Sequence, residues 1–237
     1  DLRVVGGMAS GAAEPGTNRI FIGTDCLTEG AAVVLMNGAV RVTTVVSQGC
    51  RPIGHHLIVT RSEGNLVHEL GGQPALLQLK KIFDTLSTTE QRMVNSGLFL
   101  GRVVNEYQDR FEQGDFLVRN VLGIDPDNGS IAVGDFLRPG QTVQFHVRDH
   151  QTAHDEMRHL LARARDGSEG VPRGALLFTC NGRGSRLFSE PHHDARLIQK
   201  TFGDIPLAGF FAAGELGPIG GKNFMHGFTA SVALFGT

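Results

Sequence analysis

The stretch PLAGFFAAGELGPIGGKNFMHGFTASVALF (206–235) sets Gly209, Gly214, Gly217, Gly220 and Gly221 among apolar residues. Phe210 and Phe211 stand side by side there, with one carboxylate, Glu215. Glycine at that density beside apolar surface means a tight backbone corner, a close approach of the backbone to something, or both. Asn223 and His226 follow, and the chain ends in an apolar strand pattern. An early segment repeats the layout. LRVVGGMASGAAEPGTNRIFIG (2–23) has a strand-like start, a glycine (Gly11), a Gly/Pro-rich loop and an asparagine (Asn18), and leads to GAAVVLM (30–36). The glycine-to-asparagine spacing is seven residues early and nine late, so the match needs a two-residue gap. This self-similarity predicts two related modules, each with a glycine corner. The opening LRVVGGMASG already reads as a strand, so an upstream segment is expected.

The 237 residues suffice for one large or two small domains, and 41% apolar content is enough for a core. Lys and Arg number 22 against 24 Asp and Glu, so no basic excess points to nucleic acid. The fifteen phenylalanines lie mostly in apolar runs and read as core. Three cysteines, Cys26, Cys50 and Cys180, are an odd count without close spacing. Neither a disulfide framework nor a zinc site is expected, and a reducing cytoplasm fits best. No apolar run approaches the length of a membrane span.

Residues 2–11, RIFIG (19–23), GAAVVLMNG (30–38) and AVRVTTVVS (39–47) read as strands, with Asn37-Gly38 as a two-residue hairpin turn. HHLIVTRSEGNLVHELGG (55–72) reads as a hairpin turning at Glu63-Gly64-Asn65. Pro74 opens a helix, and a second begins with Thr88 and Gln91 at capping spacing and ends at Gly97. LFLGRVVNE, DFLVRNVLGID, SIAVGDFL and QTVQFHVRD form a second strand set, with DPDNG as a turn. A helix over 152–165, a buried strand GALLFTCNG, a short helix over 194–204 stopped by Gly203, and two last strands complete the chain. The pattern predicts an α/β (α+β) fold of two related β-rich sandwich modules, the first incomplete. The expected boundary assigns residues 1–75 to the first domain and 76–237 to the second.

TCNGRG (179–184) ends a predicted buried strand, where α/β sheets bind ligands. Asn181, Gly182 and Gly184 suit a loop whose amides point outward, and Arg183 offers a fork for a carboxylate or phosphate. The competing reading is a surface turn in which Arg183 pairs with a nearby acid. Glu215 in its glycine loop must be solvated, paired or bonded by amides. With Gly214, Asn223 and His226 it forms an expected pocket rim, with Phe210 and Phe211 as its apolar wall or as plain core. If Arg183 and Glu215 lie at opposite ends of one site, the ligand is an amino acid or a similar small carboxylate. Cys180 follows LLF and reads as an inert buried thiol rather than a nucleophile. His192 and His193 in PHHD do not point the same way, so metal binding is not expected, and Asp194 is placed as a helix N-cap.

GALLFTCNGRG, Asp194 in a short helix and the opening stretch resemble the end of the FIST C-terminal domain. RNVLGIDPDNGSIAVGDFLRPGQTVQFHVRD (119–149) resembles its middle, and GHHLIVTRSEGNLVHELGGQPAL (54–76) resembles the end of the FIST N-terminal domain. The resemblance implies an intracellular sensory or signal-transduction module that binds a small ligand and performs no catalysis. It implies an output domain or protein partner outside this chain. It also carries two alternatives: protein recognition of the kind found in F-box ubiquitin-ligase adaptors, and haem binding with response to nitric oxide.

Overall fold

The computed structural model describes residues 2–112 and 114–236. In chain order the strands and helices begin with β1 (Gly6–Gly7), β2 (Ile20–Ile22), β3 (Asp25–Leu27), β4 (Arg41–Ser47), β5 (Cys50–Glu63), β6 (Leu66–Leu70) and β7 (Gln73–Pro74). Then come α1 (Ala75–Thr85), α2 (Thr88–Ser96), β8 (Leu98–Val103), β9 (Phe116–Asp125), β10 (Ser130–Val133), β11 (Thr142–Arg148) and α3 (His150–Asp166). The chain finishes with β12 (Gly174–Cys180), α4 (Gly184–Leu187), α5 (His193–Phe202), β13 (Leu207–Ala212), β14 (Glu215–Ile219), β15 (Lys222–His226) and β16 (Ala230–Gly236). Two compact units result, one from Gln48–His154 and one from Asp1–Ser47 with Asp155–Thr237. The expected boundary at 75/76 falls inside the first of these, after the first residue of α1. The mixed α/β class is as the sequence predicts.

The unit Gln48–His154 is an antiparallel sheet in the order β10-β9-β8-β11-β5-β6-β7. A further pairing of β10 with β6, Ile131 opposite Val67, closes six of these strands into a barrel. Val59, Val67, Leu70, Val143, Phe145 and Val147 fill it, and Leu79 and Ile82 of α1 join the same core. The hairpin turn is where the sequence puts it: Glu63 faces Leu66, and Gly64 has φ 58°, a conformation glycine adopts without strain. In DPDNG, Asp125 accepts from the amides of Asp127 and Asn128, and Gly129 has φ 70°. The second helix is capped one residue before the expected Thr88. Ser87 accepts from the Glu90 amide, and Glu90 bonds back to the Ser87 amide, a reciprocal cap.

His146 on β11 is buried beside the Phe116 ring, 5.2 Å away between centroids. Gly101 makes room for it, since a Cβ there would lie 2.5 Å from the imidazole. Burial pushes the His146 pKa down to about 4, against the pull of the Gln144 carbonyl that its Nδ1 contacts.

In the other unit β13, β12, β16 and β4 form a four-stranded sheet, parallel between β12 and β13 and antiparallel elsewhere. Met157 and Leu161 of α3 and Leu197, Ile198 and Phe202 of α5 pack against Leu177, Val232 and Leu234 of this sheet. A second sheet, β1-β14-β15, joins the two glycine corners: Gly6 pairs with Leu216 and Gly7 with Glu215. The close approach comes from Gly217. A Cβ there would lie 2.5 Å from Val46 of β4 and 2.7 Å from Ser231 Oγ of β16. Ser231 Oγ donates to the Leu216 carbonyl at 2.7 Å. At Gly214 the nearest atoms are the sulfurs of Met8 and Met225 at 3.0 and 3.1 Å, the ends of flexible side chains rather than phenylalanine rings.

The late stretch supplies four strands, not two. Gly220 and Gly221 at φ 56° and 80° turn β14 into β15, which accounts for the two extra residues in the late copy. The repeat also breaks down after Asn18. GAAVVLMNG is no strand, no partner pairs with it among the described residues, and Val33, Val34 and Leu35 are 81, 87 and 69% exposed. Residues 2–11 supply only the two-residue β1, and β2 pairs with β3, which the sequence reading missed.

Gly217→Ala is expected to cost about 1–3 kcal/mol by overpacking, and Gly214→Ala less than about 1 kcal/mol; urea unfolding of the two variants measures the gap. His146 sets an acid limb. Between pH 6.5 and about 4 the unfolded chain binds a proton that the folded chain refuses, so stability falls as pH falls through that window. The loss amounts to roughly 3 kcal/mol at its lower end. His146→Leu is expected to flatten the melting temperature between pH 7 and 5.

Candidate functional site

The site forms where β12 ends. Cys180 carries its amide to the Thr229 carbonyl (2.9 Å), and Asn181 carries its own to Ala212 (3.0 Å), so strand pairing persists to the last residue. The chain then turns, with the Arg183 amide bonded to the Cys180 carbonyl at 2.8 Å and the Gly182 amide to Cys180 Sγ at 3.3 Å. The turn leaves Asn181 on the surface but folds Arg183 inward, where it has no exposed area.

Arg183 meets Asp194 in α5. Its Nε donates to Oδ2 at 2.8 Å and its Nη2 to Oδ1 at 2.9 Å, the two-pronged geometry of a guanidinium on a carboxylate. Thr179 Oγ1 donates to the same Oδ2 at 2.7 Å, and His193 Nδ1 contacts Oδ1 at 3.0 Å. Burial by itself would raise the Asp194 pKa, but the Arg183 charge and these hydrogen bonds override it and hold the carboxyl well below the usual range. Asp194 is therefore ionised and caps nothing; the N-cap position is His192, at φ 60°, without a side-chain capping bond. The Phe188 ring stacks on His193 with 3.5 Å between centroids, and the Arg183 guanidinium lies 5.5 Å from the centre of that same ring.

Glu215 is also fully buried. Its Oε2 accepts from the amide and hydroxyl of Thr229 at 3.0 and 2.9 Å. Burial raises its pKa; Thr229, the Cys180 thiol and the Arg183 charge pull the other way. His226 Nε2 donates to the Gly217 carbonyl at 2.9 Å. Asn223 takes the Val4 amide on Oδ1 and gives Nδ2 to the Leu2 carbonyl, tying β15 to the segment before β1. Asn18, its counterpart in the repeat, makes the same two kinds of bond to Ala12 in its own loop. Gly214 is in that seam, bonded through its carbonyl to the Met8 amide.

A cavity of about 280 Å³ opens beside this network. Leu177, Leu207, Phe188, Phe210 and Phe211 line its apolar side, Gly184, Ala208 and Gly209 give it width, and Thr179, His192, His193 and Asp194 form its polar end. Of the residues put forward for the site in the sequence, Gly184, Phe210 and Phe211 line it. Arg183 reaches it through Asp194. Asn181 and Gly182 lie in the turn, and Gly214, Glu215, Asn223 and His226 belong to the β14–β15 side, outside the lining. The sequence reading missed Thr179, Phe188, Ala208 and the role of His193. The signal was available in PHHD, once Arg183 is given a buried carboxylate as its partner. A smaller cavity of about 60 Å³ beside Arg41 and Glu169 has room for water only. Among the described residues no cluster of three or more His, Cys, Asp or Glu could hold a metal ion.

The model of the FIST N domain matches residues 1–73, and that of the FIST C domain matches residues 75–218. An uncharacterized protein of Mycobacterium bovis and two of Mycobacterium tuberculosis are each 50% identical to this chain over 232 residues, 98% of its length. The chain spans 60% of the length of these curated relatives.

Removing one member of a buried ion pair strands the other. Arg183→Met and Asp194→Asn are each expected to cost about 3–5 kcal/mol. The double variant Arg183→Met/Asp194→Asn is expected to cost clearly less than the sum, because no uncompensated charge remains. A double-mutant cycle in urea measures the difference.

Proposed function

The chain belongs to the FIST family of signal-transduction sensory domains, and on that premise we propose that the cavity between α5 and β13 is the sensing site of a small-ligand-binding module without catalysis of its own. The observation that carries this reading is the make-up of the cavity. Three phenylalanines and two leucines supply apolar area, and the few polar groups gather at one end, the usual division of labour in small-molecule sites. An amino acid or similar small carboxylate suits it: the body lies against Phe210 and Phe211, and the polar end faces Thr179 and His193. The first turn of α5 lines the same end; no side chain caps it, Arg183 balances the charge of its Asp194, and its backbone amides suit the ligand's carboxylate.

Occupancy of this site is then passed to a signalling domain or protein outside the present chain. No helix among the described residues is long and apolar enough to cross a membrane, and we place the module in the cytoplasm. Cys180 is buried beside Glu215 and does not line the cavity, so it has no substrate to attack there. A cavity of about 280 Å³ is smaller than a porphyrin macrocycle, which favours a smaller ligand over haem at this site. One observation favours a second reading, protein recognition: the exposed run Val33–Met36, which offers apolar surface with nothing over it among the described residues.

Apolar and aromatic amino acids and arylcarboxylates are expected to raise the melting temperature by mass action. Ala208 lines the cavity from an exposed edge strand, so Ala208→Phe is expected to fill the site with little change in unliganded stability and to abolish the shift. A shift that survives Ala208→Phe, or no shift with any of these compounds, overturns the reading.

A further inference from the structure

β13 is an edge strand with an open outer side. It stands first in the order β13-β12-β16-β4 and pairs only with β12 among the described residues. Along a strand, successive residues turn their N–H and C=O to alternate sides. The Ala175 amide gives to the Pro206 carbonyl and the Asn181 amide to that of Ala212, so Ala208, Phe210 and Ala212 face β12. Leu207, Gly209 and Phe211 therefore turn theirs outward. The Phe211 carbonyl takes the Ser10 hydroxyl there. The backbones of Leu207 and Gly209 meet no such partner among the described residues. Edge strands are commonly blunted by a charge, a proline, a bulge or a covering segment. LAGFFA (207–212) holds no charge and no proline, and its pairing with β12 runs without a shift of register. Ala208, Gly209, Phe210 and Phe211 are all exposed.

The cavity lies along this edge. Leu207, Gly209 and Phe211 pair with Ala175, Leu177 and Thr179 and share their face of the sheet, the one that α5 packs against. Gly209 leaves a gap in that row, because a Cβ there would collide with the Leu177 carbonyl. A strand laid beside β13 would send every second side chain to the same face. The side chain opposite Gly209 would enter the cavity between Leu207 and Phe211. Unmet backbone groups and an apolar hollow at one residue match what an extended peptide carries at fixed spacing. A free amino acid fills the hollow and leaves the ladder unmet. We infer that the ligand of the cavity is an extended peptide segment, added as a strand to the open edge of β13, with an apolar side chain opposite Gly209. This rests on the cavity being the ligand site and names the class of ligand it takes.

Amide hydrogen exchange followed by NMR, together with binding, tests it. In the unliganded protein the amides of Leu207 and Gly209 are expected to exchange fast and those of Ala208 and Phe210 slowly. Slow exchange at Gly209 in the protein alone overturns the inference, and a slowing that grows with protein concentration assigns the edge to a second copy instead. The probe is the peptide acetyl-Thr-Phe-Thr-amide, compared with free phenylalanine. The peptide is expected to bind about tenfold tighter, as two backbone hydrogen bonds allow, and to slow exchange at Gly209 about as much. Phenylalanine is expected to leave that amide unchanged. Only every second N–H of an added strand faces β13. Methylating the peptide nitrogen of phenylalanine, or instead that of the threonine after it, is therefore expected to give unequal losses, about tenfold for one and little for the other. Equal losses, or no slowing at Gly209 with the peptide bound, refute strand addition. If phenylalanine raises the melting temperature and the peptide does not bind, strand addition falls and the ligand site stands. If neither compound binds, both fall together.

Discussion

The contact between Arg183 and Asp194 governs the region around it. A guanidinium with no solvent exposure is held by a carboxylate that is itself 5% exposed. Such a pair is stable only when nearly every donor and acceptor is met, because burial penalises each charge separately. The surroundings follow from that demand. Thr179 must point its hydroxyl at the carboxylate, the turn after Cys180 must curl inward, and α5 must start where Asp194 can reach. Phe188 then packs near two flat groups, the guanidinium and the imidazole. The charge also reaches Glu215, one of the groups that oppose the effect of burial there. A single ion pair therefore links the end of β12, the start of α5 and the β14–β15 side.

Glycine solves a different problem in the same unit. β14 runs across the face of a sheet at a distance that leaves no space for a side chain at Gly217. Ser231 uses the same closeness to bond the Leu216 carbonyl. The corner quoted at the outset is thus a device for bringing one backbone against another, while Phe210 and Phe211 of the same stretch line the cavity of about 280 Å³.

Much of this was legible in the sequence where the signal is local. Turns with Gly64 or DPDNG, helix ends at Gly97 and Gly203, and the run GALLFTC each declare themselves within a few residues. What was not legible depends on distant partners. GAAVVLMNG has the composition of a strand and forms none, because composition does not supply a neighbour to pair with. Barrel closure is set by β10 meeting β6, about sixty residues apart in sequence, which no local pattern encodes. The same holds for the site. Arg183 and Glu215 look like two ends of a binding cleft in a linear reading, and each turns out to have an internal partner. Asp194 has the position and chemistry of a helix cap, but an arginine eleven residues earlier competes for it and wins, since a charge-assisted pair outweighs a capping bond.

The division into a continuous barrel and a unit made from two separated pieces bears on how the chain folds during synthesis. Every strand of the barrel lies within Gln48–His154, so it can close as soon as that stretch has left the ribosome. β4 emerges before any of it, yet its pairing partner β16 comes last, with Val45 opposite Val232. One edge of the future four-stranded sheet must wait while the whole barrel is made. At ordinary translation rates of about 5–20 residues per second, that wait lasts on the order of ten seconds or more. Val42, Val45 and Val46 spend it unpaired. The segment most in need of protection by a chaperone is thus the seven residues of β4, in a nascent chain whose middle is already native.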